Sequence, residues 1–182
     1  MKKISQKLLY AGKWLALQQS TFVNDQGKKF CWEHITRTRD SVSCVILAQL
    51  IPSKRYVLIK QFRPAINNYI IGLPAGLCNK TDITTIKKVA IKELKEETGY
   101  TGKVVEISPN LQTNPGIIWA VTKVVIMEID ENAKVNKKLE QSLETAEEIE
   151  VVLKKKKDIK QYLISENKKG NEIGAGLWYL FH

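Results

Sequence analysis

The 182-residue sequence is poor in several residue types, and each shortage excludes a class of protein. Its three cysteines, Cys31, Cys44 and Cys78, are widely spaced and match no zinc-ligand pattern, and the chain has only two histidines. No apolar run approaches the roughly 18 residues that a membrane helix requires. Lys7 and Lys13 interrupt what would have to be the apolar core of a secretion signal. We therefore expect a cytoplasmic protein with reduced thiols.

Arginine and acidic residues are scarce beside lysine. The chain carries 29 Lys and Arg against 19 Asp and Glu, a net charge of +10, yet only four residues are arginine. Nucleic-acid-binding domains concentrate basic residues on one face or stripe. Here the lysines are spread out, and the one dense run, 154–157, precedes an expected helix. We interpret the excess as solvated surface, and expect a phosphorylated small molecule as partner rather than nucleic acid or a membrane.

The first part of the chain predicts a small β-rich arm. Two short segments, 13–21 and 28–34, flank Asn24-Asp25-Gln26-Gly27, a sequence that favours a tight turn. This pattern predicts a β-hairpin. Since the length suits one domain with a small appendage, we expect an arm over residues 1–38 and a main domain over 39–182.

The main domain mixes strands and helices without regular alternation, which favours an α+β fold with a mixed sheet packed by helices. One strand, starting at Tyr69, is expected to run into a turn at Pro74-Ala75-Gly76. Helices are expected over 158–166 and 173–181. The other expected strands are 42–50, 56–61, 101–108, 121–129 and 148–153.

A central helix is predicted over residues 84–98. Ile86, Ala90 and Leu94 recur at i, i+4 and i+8, the spacing of one helix face. Its expected capping residues are Asp82 or Thr84 before the first turn and Gly99 after the last.

Three glutamates lie within five residues at the end of this helix. Glu93 and Glu97 are i and i+4 and share a face, with Glu96 beside them. Like charges at this spacing repel, and the helix macrodipole disfavours negative charge at a C-terminus. A bound Mg²⁺ ion turns this repulsion into a net attraction, because the ion accepts converging oxygen ligands. The residues alone leave two interpretations open, a metal site and a solvated acidic helix end.

Several segments together resemble a known family. Leu73-Pro74-Ala75-Gly76 and Glu93–Tyr100 are similar to the Nudix box, G-x5-E-x7-R-E-U-x-E-E-x-G-U, in which U is a bulky apolar residue. Val57–Pro64 and Asn114-Pro115-Gly116 resemble the branch that contains ADP-ribose and ADP-sugar pyrophosphatases. The resemblance implies a Nudix-type α/β/α sandwich. It also implies Mg²⁺-dependent hydrolysis of the pyrophosphate bond of ADP-ribose or a related ADP-sugar to AMP and a sugar phosphate.

The resemblance assigns roles to the acidic residues. This branch often takes its catalytic base from a loop distant from the helix, which places Glu147 in that position with Glu148 as the substitute. Glu96 would be a shared metal ligand with a catalytic role. The implied ligands of Mg²⁺, or of Mn²⁺ as the alternative ion, are the backbone carbonyl of Ala75 and the carboxylates of Glu93, Glu96 and Glu97.

The resemblance also implies substrate contacts. Without it, lone tryptophans would be interpreted as core residues; with it, Trp14 and Trp32 stack the adenine and Glu33 accepts from its amine. Relatives exchange the arm between subunits, which implies a homodimer with the two rings from different chains. The implied substrate-binding residues are Trp14, Trp32, Glu33, Arg37, Arg63, Leu77 and Asn114.

The sequence departs from the family pattern at a few positions. Lys92 stands in place of the box arginine and offers a point charge instead of a planar fork. The spacing before the helix is two residues longer, with Asp82 where the first glutamate is expected. Gly72 and Ala120 replace residues that are acidic in some relatives. These changes keep a second interpretation open, a Nudix-fold protein that binds a nucleotide or nucleic acid with weak or no hydrolysis.

Overall fold

The computed structural model describes residues 1–181, which form two β-sheets and three α-helices. The predicted α+β class is confirmed. The helices are α1 (Ile83–Thr98), α2 (Lys156–Lys168) and α3 (Ala175–Phe181). The strands are β1 (Lys2–Ala11), β2 (Leu15–Val23), β3 (Lys29–Arg37), β4 (Val42–Ile51), β5 (Arg55–Arg63), β6 (Asn68–Gly72), β7 (Ala75–Cys78), β8 (Lys103–Ile107), β9 (Ile118–Trp119), β10 (Val121–Asp130), β11 (Ile149–Lys155) and β12 (Glu172–Ile173).

The smaller sheet has the order β1-β2-β3-β9. Strands β2 and β3 form the predicted hairpin, and Gly27 in its turn takes a positive φ of 76°. The arm is one strand larger than predicted, because β1 pairs antiparallel with β2 along its length. Every residue of β1 is exposed, so its sequence carries no buried alternation by which to recognise it. The division of the chain at residue 38 stays a prediction.

The larger sheet has the order β12-β6-β5-β4-β10-β8, with β11 added to β5 and β7 added to β4. It is mixed: β4 runs parallel to β10 and antiparallel to β7. Buried residues of β4 such as Cys44 and Ile46 share one core with Ile86 and Leu94 of α1. A second core joins the sheet to α2 and α3. The main sheet therefore lies between two helical layers.

The predicted turn at Pro74-Ala75-Gly76 is wrong from Ala75 onward. Residues 75–78 form β7, in which Ala75 pairs with Val45 and Gly76 with Cys44. Turn-forming residues become a strand here because the long neighbour β4 offers a free edge for pairing. This strand carries the Ala-Gly pair directly beside α1.

The last helix is shorter than predicted. Residues 172–173 pair with β6 as the strand β12, and the helix begins at Ala175. Between them Gly174 lies close to β6, donating its amide to the carbonyl of Ile71 at 2.9 Å. None of the helices in the described part of the chain has the length and apolar composition of a membrane span.

Candidate active site

Helix α1 carries the glutamate cluster in its last turns, and capping residues define both of its ends. Asp82 caps its start by accepting from the Thr85 amide at 2.9 Å. Gly99 ends it in the left-handed conformation, with φ of 78°, and donates to the Lys95 carbonyl at 2.8 Å. Both predicted caps are confirmed, Asp82 being the one of the two N-terminal alternatives that is used. The last turns of the helix are therefore rigidly placed against β7.

Glu97 is a buried carboxylate. Only 2% of the residue is exposed, and its Oε2 accepts from the amide of Ala75 at 3.0 Å. The pKa of Glu97 is raised to about 8, mainly by burial and also by the charges of Glu147 and Glu93, while the Ala75 amide and Arg63 oppose the rise. A carboxylate held in this way is stabilised by any cation that enters the site.

Glu93 lies directly against the backbone of β7. A Cβ built on Gly76 would lie 2.2 Å from Glu93 Cγ and 2.4 Å from its Oε1, so the carboxylate occupies the space that any other residue would fill. Burial raises the pKa of Glu93, the charges of Glu96 and Glu147 add to the rise, and Lys92 opposes it. Glu93 and Glu97 are thus two converging acids on one side of the helix.

The side chain of Glu96 pairs with a lysine and not with β7. Its Oε2 lies 2.5 Å from Nζ of Lys92, one helical turn earlier. This hydrogen bond is the main cause of the raised pKa of Lys92. The lysine at the family's arginine position therefore pairs with the glutamate four residues on, as i,i+4 geometry allows. A ligand role for Glu96 stays a prediction.

The two candidate bases have different surroundings. Glu147 Oε2 accepts from the amide of Glu144 at 2.9 Å, and its charge raises the pKa of both Glu93 and Glu97. Glu148 instead accepts a hydrogen bond from the hydroxyl of Tyr69. Of the two, Glu147 is the residue whose charge acts on the helix carboxylates.

The carboxylates of Glu93, Glu97 and Glu147 supply part of a ligand set for a divalent cation. Hard cations take carboxylate oxygens: Glu93 lies against Gly76, Glu97 accepts from the neighbouring Ala75 amide, and the charge of Glu147 acts on both. In the described residues no three His, Cys, Asp or Glu side chains converge as a complete ligand set. Glu96, the third glutamate at this end of α1, is paired with Lys92. Mutual repulsion in this cluster is what a bound cation would relieve.

A pH dependence of stability follows from the pKa of Glu97. In chelator-treated protein the folded state binds a proton on Glu97 more tightly than the unfolded chain does. The stability gained from this proton is complete below the ordinary pKa of 4.5 and is lost as the pH rises through about 8. We expect Glu97→Gln, which cannot ionise, to raise the unfolding temperature relative to wild type more at about pH 9 than at about pH 5.

Differential scanning fluorimetry of both proteins in EDTA checks this. A difference between wild type and variant that stays constant between the two pH values would show that Glu97 titrates normally.

One large cavity lies on the arm and is not lined by the helix carboxylates. It has a volume of about 750 Å³ and includes Trp32, whose Nε1 donates to the carbonyl of Gly116 at 2.8 Å across 84 positions of sequence. The fold thus brings one predicted substrate residue, Trp32, to the loop that carries another, Asn114. The cavity is lined by Met1, Lys3, Ser20, Phe22, Phe30, Trp32, His34, Gln112, Pro115, Ile118 and Trp119.

A second cavity of about 360 Å³ contains two of the four arginines, Arg37 and Arg39. Gln18 and Ser41 also line it, and their buried Oε1 and Oγ atoms have no hydrogen-bond partner in the described part of the chain. Trp119 borders both this cavity and the larger one. Sequence reasoning missed Arg39 and Trp119. The sequence indicates a binding role for these two residues only weakly. Arg39 follows Arg37 by two residues, and Trp119 closely follows the Pro-Gly turn.

The other predicted substrate residues are dispersed over the surface. Arg63 is close enough to Glu97 to oppose the rise of its pKa. Leu77, 48% exposed, follows Gly76 on β7. Glu33 accepts from Gln19 at 3.4 Å on the arm. Trp14 is 65% exposed under the ammonium of Lys13, and it lies outside the two cavities described above.

Comparison with known proteins identifies the family. The chain is 32% identical over 171 residues to an uncharacterised Nudix hydrolase of Schizosaccharomyces pombe, a match that covers 91% of this chain and 82% of the relative. The chain belongs to the Nudix hydrolase family. A putative Nudix hydrolase of Caenorhabditis elegans is 31% identical over 167 residues, covering 87% of this chain and 74% of the relative. No family profile matches the chain.

Other relatives of this Nudix hydrolase have named activities. The ADP-sugar pyrophosphatase of Mus musculus is 34% identical over 133 residues, covering 69% of this chain and 60% of the relative. The ADP-ribose pyrophosphatase of Saccharomyces cerevisiae is 34% identical over 146 residues, covering 76% and 62%. The fold is similar to a crystal structure of an ADP compounds hydrolase, with a TM-score of 0.66 over 88% of this chain and 82% of the other, at 16% identity.

Proposed function

We propose that this Nudix hydrolase cleaves the pyrophosphate bond of ADP-ribose or a related ADP-sugar, yielding AMP and a sugar phosphate, with Mg²⁺ or Mn²⁺ as cofactor. The observation that carries the proposal is the position of two carboxylates of α1 on adjacent residues of β7, Glu93 against Gly76 and Glu97 on the Ala75 amide, with the charge of Glu147 acting on both. The names of the mouse and yeast relatives support the substrate class. A cytoplasmic location stays a prediction from the sequence.

Each residue has a definite task in this proposal. Glu93 and Glu97 would hold the metal, which when bound neutralises phosphate charge and promotes attack by water. Glu147, whose carboxylate accepts from the Glu144 amide, would take a proton from the attacking water. Arg37 and Arg39 offer guanidinium groups to the remaining phosphate oxygens.

The experiment is hydrolysis of a substrate panel. Purified protein is incubated with ADP-ribose, ADP-glucose and a dinucleoside diphosphate, each with Mg²⁺, Mn²⁺ or EDTA, and AMP is measured by liquid chromatography. We expect AMP from at least one ADP-sugar in the presence of metal and none in EDTA. Equal AMP from wild type and Glu97→Gln under every condition would contradict the proposal.

The arm supports a homodimer in which each site uses both subunits. The Thr38 amide donates to the Trp14 carbonyl at the start of β2, whereas Trp32 pairs with Ser20 farther along. These positions are six residues apart on an extended strand, about 20 Å. One adenine cannot bridge that distance within a chain, so we propose that Trp14 and Trp32 come from different subunits.

Removing one stacking ring should weaken substrate binding. We expect Trp32→Ala and Trp14→Ala each to raise KM for ADP-ribose by about 10- to 100-fold, since base stacking on an aromatic side chain stabilises by about 1–3 kcal/mol. Steady-state kinetics measure this.

Co-expression of the two variants tests the exchange. A mixed dimer regains one intact site only when the rings come from different chains, so a mixed dimer purified by two different affinity tags is expected to have half of the wild-type activity. Activity no higher than that of either variant alone would place both rings in one subunit.

A further inference from the structure

We infer that Gln141 is a positioning residue that holds the loop of Glu147 against the carboxyl end of α1. This inference rests on the proposed function, in which Glu147 acts as the base. Neither the family motif nor the sequence pattern singles out Gln141, which lies in the polar loop that precedes β11.

The contacts of Gln141 join three segments. Its Nε2 donates to the carbonyl of Glu97 at 2.6 Å and to the carbonyl of Ile149, the first residue of β11, at 3.1 Å. An amide nitrogen has two N–H donors, and both are used here. The neighbouring amide of Ser142 donates to the carbonyl of Glu96 at 2.8 Å. The loop thus supplies partners for carbonyls that the end of a helix leaves unpaired.

The hydrogen bond from Gln141 to Ile149 closes the loop that carries the base. Residues 142–148 form this loop, and within it the Glu147 carboxylate accepts from the Glu144 amide. Glu97 is held from both sides, its backbone by Gln141 and its carboxylate by the Ala75 amide. The Gln141 amide therefore fixes Glu147 relative to the carboxylates on α1. A displacement of about 1 Å in such a group can cost about 100-fold in rate.

Glutamine is chemically specific in this position. A glutamate of the same shape has only acceptors and would face two carbonyl oxygens, which repel it. Because Gln141 is an exposed residue in the surface loop, its replacement should leave the fold intact.

Gln141→Glu is the test variant, and Gln161→Glu on the exposed face of α2 is the matched control. We expect Gln141→Glu to lower kcat by about 10- to 100-fold, with KM for ADP-ribose changed less than about threefold. The control should behave as wild type. Unchanged kcat in Gln141→Glu would overturn the inference.

A double-mutant cycle separates positioning from general structural damage. In a Glu147→Gln background we expect Gln141→Glu to cost less than about threefold, because the group it positions is already disabled. An equal loss in both backgrounds would mean that Gln141 does not act through Glu147.

Hydrogen exchange keeps this test independent of the proposed function. In Gln141→Glu we expect faster amide exchange in a peptide covering residues 142–149 and no change in a peptide from β10. If wild type hydrolyses no ADP compound, the proposed function fails, yet exchange still decides whether Gln141 holds the loop. Unchanged exchange in the peptide of residues 142–149 would overturn the inference about Gln141. If the wild type is active and Gln141→Glu has normal kinetics, the inference about Gln141 fails while the proposed function stands.

Discussion

Replacing Glu97 with glutamine is expected to lower kcat for ADP-ribose hydrolysis by about 100- to 1,000-fold or more while preserving the fold. Glutamine keeps the oxygen that accepts from the Ala75 amide, so the anchoring hydrogen bond survives. It removes the negative charge that the proposed metal requires. The increase in unfolding temperature that Mg²⁺ or Mn²⁺ gives wild type should also be lost. Steady-state kinetics and thermal unfolding with and without metal measure both effects.

Glu106→Gln on the exposed surface of β8 is the matched control and should retain wild-type kinetics and metal response. A Glu97→Gln enzyme with near-normal kcat would remove this carboxylate from the reaction.

Gly76→Ala is expected to lower kcat by about 100-fold with little change in stability. The new Cβ would lie 2.2 Å from Glu93 Cγ and 2.3 Å from its Cδ, a separation that atoms cannot keep. What it meets is a side chain, so Glu93 can rotate away, and the carboxylate then leaves the site. The backbone of Gly76 is not among those with positive φ, so alanine itself introduces no strain.

The control for this prediction is Gly176→Ala, where an added Cβ meets nothing within 4 Å. A second comparison uses Glu93→Ala, in which the clashing side chain is absent. In that background Gly76→Ala should have no further effect on kcat. Full activity of Gly76→Ala in the wild-type background would mean that the position of Glu93 is unimportant.

Local signals in the sequence predicted the helix that carries the site. The apolar spacing of Ile86, Ala90 and Leu94 and the caps at Asp82 and Gly99 act within a few residues, so they can be recognised without tertiary structure. The acidic spacing on α1 likewise placed Glu93 and Glu97 on one face.

Features that depend on distant partners could not be predicted. Ala75–Cys78 becomes a strand because β4 lies beside it, and no local pattern records that neighbour. The approach of Trp32 to Gly116 and of Gln141 to Glu97 joins segments 84 and 44 residues apart. The pairing of Glu96 with Lys92 could have been predicted, since the two residues are four positions apart on a helix. The family resemblance implied a metal-ligand role for Glu96 instead.

The most direct test of the central claim is an anomalous difference map from crystals soaked in Mn²⁺. We expect a strong peak between the carboxylates of Glu93 and Glu97 beside Gly76, at about 2.0–2.3 Å from their oxygens, and no peak there in Glu97→Gln crystals. A map without density at this position, obtained from crystals of enzyme that hydrolyses ADP-ribose in Mn²⁺, would contradict it.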